Sequence, residues 1–364
     1  MNKTRLLSGL AAICLATISM APSHAGTLKN GAPANLTIGG QVSRAMLYVN
    51  DGDAADFRSV DNDAENTGFK FEAEVQLTPT ISMGAIFDGD VVSNSSSGVS
   101  MTSDSDSGGT FAEDTLDLFF THKTLGTLYL GQGDAASDAI SEVDLSGTAL
   151  GGYSSIADMA GGFAFVNSNG TRSTTTIGTV ANNLDGLDAG DRIRWDSPEL
   201  AGFHLRVGTL SAGGTTDAAV GYAGEFGGTA IEGSVGVYTG GANQGVSGSV
   251  SALMANGLNI TLAAGSQELE NGTRSDSPFF WYGKIGYQAK LTALGKTNIA
   301  IDFGQFNDVA VDGDEFQTIG VQLVQDIDKA GANLFLAYRH HSLDRTGSSF
   351  DDISAVMGGA FLAF

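Results

Sequence analysis

Strict alternation of apolar and polar residues between Gly68 and Leu77 is the feature that most constrains the fold. Successive side chains of a β-strand point to opposite faces of the sheet, so this pattern predicts a strand with one apolar and one charged face. Two settings suit such a strand: a soluble sandwich, whose core covers the apolar face, and a membrane barrel, whose apolar face meets lipid. In the barrel, the charged face, which here carries Lys70, Glu72 and Glu74, lines water.

Similar alternating segments recur from residue 34 to the end of the sequence. Each spans about ten residues, which is the length that a tilted strand needs to cross a bilayer. We count about sixteen such segments by their period of two. They are 34–49, 65–77, 80–92, 112–123, 127–134, 190–197, 202–211, 217–227, 229–239, 244–254, 258–268, 279–292, 296–306, 315–325, 331–342 and 351–364.

The connections between these segments alternate in length. Leu125-Gly126 and Gly227-Gly228 are short turns, whereas Asp51–Asp63 and Val92–Thr110 are longer and either acidic or rich in Ser and Gly. Short turns on one rim and long loops on the other are typical of outer-membrane barrels. The sequence therefore favours lipid, rather than a protein core, on the apolar faces of the strands.

One connection, Ala135–Ala189, is far longer than an ordinary loop, which indicates a functional segment. It contains apolar residues, among them Ile156 and Phe165, that need a surface to pack against. We therefore predict that it folds inward against the barrel wall. A short extra hairpin within 163–179 is the alternative for part of it, and Ser137 is a candidate cap for a short helical turn.

The first 25 residues have the features of a secretory signal. Basic Lys3 and Arg5 precede an apolar run, Leu6–Met20, and Ser23-His24-Ala25 forms a small-residue cleavage site. We predict a signal peptide at 1–25 and a single transmembrane β-barrel domain at 26–364. Cys14, the one cysteine of the sequence, lies in the signal, so the mature chain would have no disulfide.

The charge balance is strongly acidic, with 18 Lys and Arg against 41 Asp and Glu. Removal of residues 1–25, which contain Lys3, Arg5 and no acid, leaves 16 basic and 41 acidic residues, a balance of −25. Nucleic acid is thereby disfavoured as a partner, because phosphates need basic contacts. Acidic charge attracts cations instead, so we expect any pore to prefer them.

Several motifs together resemble the general diffusion porins of Gram-negative outer membranes. Arg194-Trp195-Asp196-Ser197-Pro198, followed by Gly202-Phe203, is similar to their strand–turn–strand signature at a short turn. Thr67–Lys70 resembles their second strand, Leu128–Gly133 the strand that leads into their third loop, and Phe364 their terminal assembly signal. The resemblance implies an all-β fold: a transmembrane antiparallel β-barrel of about sixteen strands, usually trimeric, with a long inward-folded third loop.

The same resemblance implies a constriction in which acidic residues of the third loop face basic residues of the wall. By position, the acidic candidates are Asp138, Glu142, Asp144 and Asp158. The basic candidates, on the polar faces of their strands, are Lys70, Arg192, Arg194 and Arg206. Asn66 and Gln132 stand where several family members carry a wall arginine, which predicts a thinner basic ladder and weaker passage of anions.

Other constellations carry weaker hypotheses. Gly131–Ala136 matches a dinucleotide fingerprint but no βαβ unit follows it. His340 and His341 point to opposite faces of a strand, so both cannot serve one catalytic site. The acidic runs Asp61–Asp63 and Asp312–Glu315 read as solvated loops, with loose binding of divalent cations as the alternative. We therefore expect no enzyme activity, no cofactor and no resident metal.

We interpret the sequence as an outer-membrane porin, a water-filled channel for passive diffusion of small hydrophilic solutes and ions that prefers cations. Expected partners are two further copies in a homotrimer, outer-membrane lipids with lipopolysaccharide, and the solutes themselves. A substrate-specific channel, and a barrel that acts mainly as an adhesin or envelope anchor, remain the alternatives. Arg44 shares the lipid-facing side of its strand with Val42, which requires a bulge, a rim position or a subunit contact.

Overall fold

A computed structural model describes residues 26–28, 34–103, 111–211, 214–240, 243–269 and 275–364. The predicted signal peptide, 1–25, lies outside the described residues. None of the helices in these ranges is long and apolar enough to cross a membrane.

Sixteen long strands dominate the described chain, and each coincides with one of the predicted segments to within a few residues. They are β1 (Ala34–Asn50), β2 (Gly68–Thr78), β3 (Ile81–Asp90), β4 (Ala112–His122), β5 (Gly126–Gly133), β6 (Gly190–Asp196), β7 (Phe203–Leu210), β8 (Thr216–Phe226), β9 (Thr229–Gly240), β10 (Asn243–Leu253), β11 (Leu258–Leu269), β12 (Phe279–Ala289), β13 (Thr297–Asn307), β14 (Asp314–Ile327), β15 (Ala332–Arg345) and β16 (Ile353–Ala363). Shorter strands are Gly26–Leu28, Ala55–Asp61, Ala164–Val166, Arg172–Thr176 and Ser348–Ser349.

The long strands form one closed antiparallel barrel. Each pairs with the next along the chain, and β1 closes the sheet by pairing with β16 from Gln41–Ala363 to Asn50–Ser354. Closure pairs both edge strands of the sheet. An unpaired edge would expose backbone N–H and C=O groups to lipid, which is too costly. The predicted all-β transmembrane barrel of sixteen strands is therefore confirmed.

The two rims differ as predicted, although not at every position. The turns at one rim, which we call the short-turn rim, span two to seven residues, from 79–80 to 290–296. The opposite rim, the long-loop rim, carries 51–67, 91–111 and 134–189, but also the short links 211–215 and 241–242. The alternation of loop lengths is thus strict only in the first third of the barrel.

Side chains alternate between lipid and lumen as the period of two predicts. On β12, Trp281 and Ile285 are exposed on the outer surface, whereas Lys284 between them is buried inside. Arg44 keeps its place on the outer face beside Met46 without a bulge. Strand Ala55–Asp61 extends the sheet there, so the Arg44 guanidinium contacts Asp61 at 3.3 Å and the carbonyl of Ser93 at 2.7 Å.

The connection 134–189, the third loop, folds into the barrel. It contains two 3₁₀ turns (Ala149–Gly151 and Ile156–Asp158), the hairpin of Ala164–Val166 with Arg172–Thr176, and the helix Ile177–Val180. Inward folding and the extra hairpin, which were alternatives for this region, both occur. Ser137, the predicted helix cap, lies in a turn and not at the start of a helix. Its backbone N–H and its hydroxyl both donate to Asp217 on β8.

An apolar core fills the lumen beside β12–β16 and the end of β1. The third loop contributes Phe163, Phe165 and Ile177, and Phe165 lies 6.2 Å from the ring of Phe316 on β14. Burial of apolar side chains on both sides drives this packing. Near the long-loop rim, the lumen beside β12–β16 is therefore filled with protein side chains rather than with water.

Candidate functional site

The third loop is fixed to the wall by two buried cations of the wall, Lys284 and Arg339. The ammonium of Lys284 on β12 lies 2.6 Å from the Asp144 carboxylate and also donates to the carbonyl of Gly152 at 2.6 Å. Arg339 on β15 donates to Asp302 on β13 at 3.2 and 2.9 Å and to the carbonyl of Tyr153 at 3.2 Å. A Cβ at position 152 would come within 2.3 Å of the Arg339 guanidinium, so this close approach requires glycine.

Small polar side chains on neighbouring strands continue this attachment. Ser249 on β10 accepts from the N–H of Val143 at 2.9 Å and donates to the carbonyl of Ile140 at 2.8 Å. Ser251 accepts from the N–H of Leu145 at 2.9 Å. The wall thereby satisfies backbone groups of the loop that would otherwise be buried without partners. These bonds hold the loop in one position from β8 to β15.

The free edge of the loop carries a cluster of acids. Glu142 accepts a bond of 2.9 Å from Asn183, and Asp158 accepts one of 2.6 Å from the Tyr153 hydroxyl. Burial and the charges of Asp134, Asp185 and Asp188 raise the pKa of Asp138 to about 8. Burial raises the pKa of Asp158 to about 7, and burial with Asp185 and Asp158 raises that of Glu142 well above its ordinary value.

Of the four acidic candidates, Asp144 is separate from the others. It is buried in the ion pair with Lys284 and accepts further bonds from Ser146 and Thr261. The structure thus assigns it to anchoring the loop, whereas Asp138, Glu142 and Asp158 lie at the acidic edge. Asp185 on the returning limb of the loop interacts with Glu142, and sequence reasoning missed it because only the folded loop brings the two limbs together.

Two of the basic candidates are neutralised on the wall itself. Arg192 on β6 is buried and forms a bidentate pair with Asp117 on β4 at 2.8 and 2.7 Å. Arg194 donates to Asp196 at 2.9 and 3.1 Å, and its guanidinium lies 4.8 Å from the centre of the Tyr129 ring. A paired arginine offers little attraction to a passing anion, so these residues do not form a free basic ladder.

The other two basic candidates have different surroundings. Lys70 on β2 is half exposed, and its ammonium lies 3.9 Å from the Asp88 carboxylate on β3. Arg206 on β7 is buried beneath the start of the third loop and donates to the carbonyl of Asp138 at 3.4 Å. Among the described residues Arg206 forms no ion pair within 4 Å. The predicted pairing of these four wall bases with the loop acids is therefore not seen as ion pairs, whereas the loop acid Asp144 pairs with Lys284, which was not among the predicted bases.

The wall near Lys70 is acidic, which the sequence analysis did not single out. Asp114 on β4 interacts with Asp134, Asp88 and Lys70, so all four charges occupy one region of the lumen. Asp90 on β3 accepts a bond of 2.9 Å from Asn66. The sequence does show acidic residues on the polar faces of β3 and β4. Their proximity to one another depends on the register between the strands, which the sequence pattern does not give.

The remaining sequence candidates concern metal ligands, the histidine pair and the terminal phenylalanine. In the described ranges, no group of three or more His, Cys, Asp or Glu residues is placed to hold a metal ion. His341 is buried against Phe316, whereas His340 contacts Ser354 at the outer side. Phe364 pairs through its backbone with Gly40, and its ring is exposed beside the short-turn rim, so its predicted role in assembly stays a prediction.

Comparison with solved structures identifies the same architecture elsewhere. The chain is similar to an anion-selective porin from Comamonas acidovorans, with 14% identity, 91% of this chain and 100% of that chain covered, and a TM-score of 0.62. It is similar to OmpT of Vibrio cholerae in its trimer form (11%, 92% and 100%, 0.57) and to OmpF of Salmonella typhi in complex with daunomycin (12%, 93% and 100%, 0.56). No curated protein sequence matches the chain.

The family itself is shown by sequence. The family model described as Gram-negative porin matches residues 9–346, which is most of the chain. The closed barrel of sixteen strands and the loop folded into its lumen fit that match. This chain belongs to the Gram-negative porin family and is a β-barrel channel of the outer membrane.

Proposed function

We propose that the channel conducts small hydrophilic solutes and ions passively, prefers cations, and performs no chemistry. The observation that carries the preference is the imbalance of unpaired charge in the lumen. Arg192, Arg194, Lys284 and Arg339 are each bound to a carboxylate of the barrel or loop. Asp134 and Asp185 form no such pair among the described residues, and Asp138, whose pKa is raised to about 8, adds its charge as the pH rises through that value, so the net field at the constriction is negative.

The proposed path runs along β2–β7. The apolar core and the anchored loop occupy the opposite side of the lumen, whereas Lys70, Asp88 and Asp114 remain accessible on this side. Water and ions passing here meet the acidic edge of the loop on one side and the acidic wall on the other. A net negative charge on both sides raises the local concentration of cations.

Reversal potentials in planar bilayers under a KCl gradient test this proposal. At pH 9, where Asp138 is ionised, the wild type is expected to show preference for K⁺ over Cl⁻, and the double variant Asp134→Asn, Asp138→Asn is expected to lose about half or more of it. Asp53→Asn is the matched control, since Asp53 is an exposed loop acid away from the constriction. Preference for Cl⁻ in the wild type, or an equal change in the control, would overturn the proposal.

We also propose that the protein is exported with removal of residues 1–25 and assembles as a homotrimer. The Vibrio cholerae OmpT structure is described as a trimer form, which supports the oligomeric state by similarity of fold. Analytical ultracentrifugation in detergent with matched density measures the mass of the assembly, and N-terminal sequencing of the purified protein measures the cleavage site. A monomeric mass would contradict the first expectation.

A further inference from the structure

A small cavity lies between the start of the third loop and the barrel wall, toward the short-turn rim. Its volume is about 60 Å³. The loop contributes Ala139 and Val143 to its lining, and the wall contributes mainly polar and charged side chains: Glu199, His204, Arg206, Glu232 and Ser234. The space admits more than one water molecule but not a sugar ring. Any ligand that it holds must therefore be a small group or one end of a larger solute.

Arg206 contributes a guanidinium to this cavity, and no carboxylate of the described residues lies within 4 Å of it. Arg206 is only 8% exposed, and its Nε has no hydrogen-bond partner among the described residues. Its neighbour Arg194 is already paired with Asp196. Burying a cation without a partner is costly, so a site of this kind favours an anionic group that completes it.

A second polar group in the cavity is also without a partner. The hydroxyl oxygen of Ser234 is buried and forms no hydrogen bond within the described part of the chain. Ser234 and His204 lie in one row across the sheet, because both pair in register with Gly221 on β8. A Cβ at position 221 would come within 2.0 Å of the His204 ring, so glycine is what allows the imidazole to lie across β8. The row thus places an imidazole and a hydroxyl beside Arg206.

We propose, on the basis of the channel function above, that this cavity binds the carboxylate of a small zwitterionic solute of the amino-acid class. Arg206 holds the carboxylate in a charge-assisted contact, and the Ser234 hydroxyl donates to it. Glu232 and Glu199, which line the same space, are placed to attract the ammonium group. A plain anion would have to pass the acid Asp134, whereas the ammonium of a zwitterion offsets that repulsion.

Equilibrium dialysis of radiolabelled glycine against the purified full-length protein in detergent tests this binding site directly. We expect saturable binding by the wild type, competition by unlabelled glycine, and no competition by acetamide, which is neutral and of similar size. Arg206→Gln should weaken the affinity about tenfold or more, because it removes a charged hydrogen-bond donor. Arg206→Lys keeps the charge and should bind with intermediate affinity, which distinguishes loss of the site from loss of the fold.

Arg58→Gln is the matched control, since Arg58 is a buried arginine outside the cavity, paired with Asp56. Equal glycine affinity in the wild type and Arg206→Gln, or no saturable binding by the wild type, would overturn the proposed site. This readout does not depend on conduction. A channel with the expected K⁺ preference but no glycine site refutes the cavity proposal alone, whereas glycine binding without K⁺ preference refutes the proposed selectivity alone.

Discussion

At the scale of single residues, the charge of Asp138 is the property most sensitive to its surroundings. Burial and neighbouring acids raise its pKa to about 8, so its carboxyl is largely protonated and neutral below that pH and becomes charged above it. We expect the K⁺ preference to increase between pH 7 and pH 9. Reversal potentials measured across this range should rise in the wild type and much less in Asp138→Asn, and a flat wild-type profile would contradict the assignment.

The sequence could predict which residues face the lumen but not which of them carry free charge. Arg192 and Arg206 both lie on the polar face of an alternating strand. Their difference arises because Arg192 meets Asp117 two strands away, whereas Arg206 meets only a loop carbonyl. Such contacts depend on the register between strands and on how the third loop folds back into the lumen. The alternation of polar and apolar residues predicts neither of them.

At the scale of elements, the anchoring of the third loop depends on the buried pair of Lys284 and Asp144. Lys284→Met is expected to cost about 3–5 kcal/mol, because it leaves a buried carboxylate without its counter-charge. The double variant Lys284→Met, Asp144→Leu removes both charges and should recover most of that loss. Urea unfolding followed by tryptophan fluorescence measures the change.

A loss of stability in the double variant as large as in the single variant would contradict this interpretation.

The strands that carry these residues were predictable from the sequence, because alternation is a local pattern and β12 shows it over its whole length. The fold of the third loop was only partly predictable. Its apolar residues indicated that it packs, but the surface they pack against, the inner faces of β12–β16, belongs to distant sequence.

At the scale of the whole molecule, the barrel divides into a filled side and an open side. The described residues contain no cysteine, so single cysteines introduced on either side of the lumen report on access there. Lys70→Cys lies on the open side. Thr318→Cys lies on β14, where Thr318 is 1% exposed against the filled side.

We expect a cationic methanethiosulfonate reagent to modify Lys70→Cys and reduce its K⁺ current, because the added group occupies the proposed path. Thr318→Cys should remain unmodified in the folded protein and react only after denaturation. Leu262→Cys, on the lipid-facing side of β11, is the control whose modification should leave the current unchanged. Rapid modification of Thr318→Cys, or unchanged current in modified Lys70→Cys, would place the water path elsewhere. These outcomes would show that the two sides of the inner barrel surface have different functions. The side at β12–β16 holds the third loop in place, and the side at β2–β7 lines the solute path.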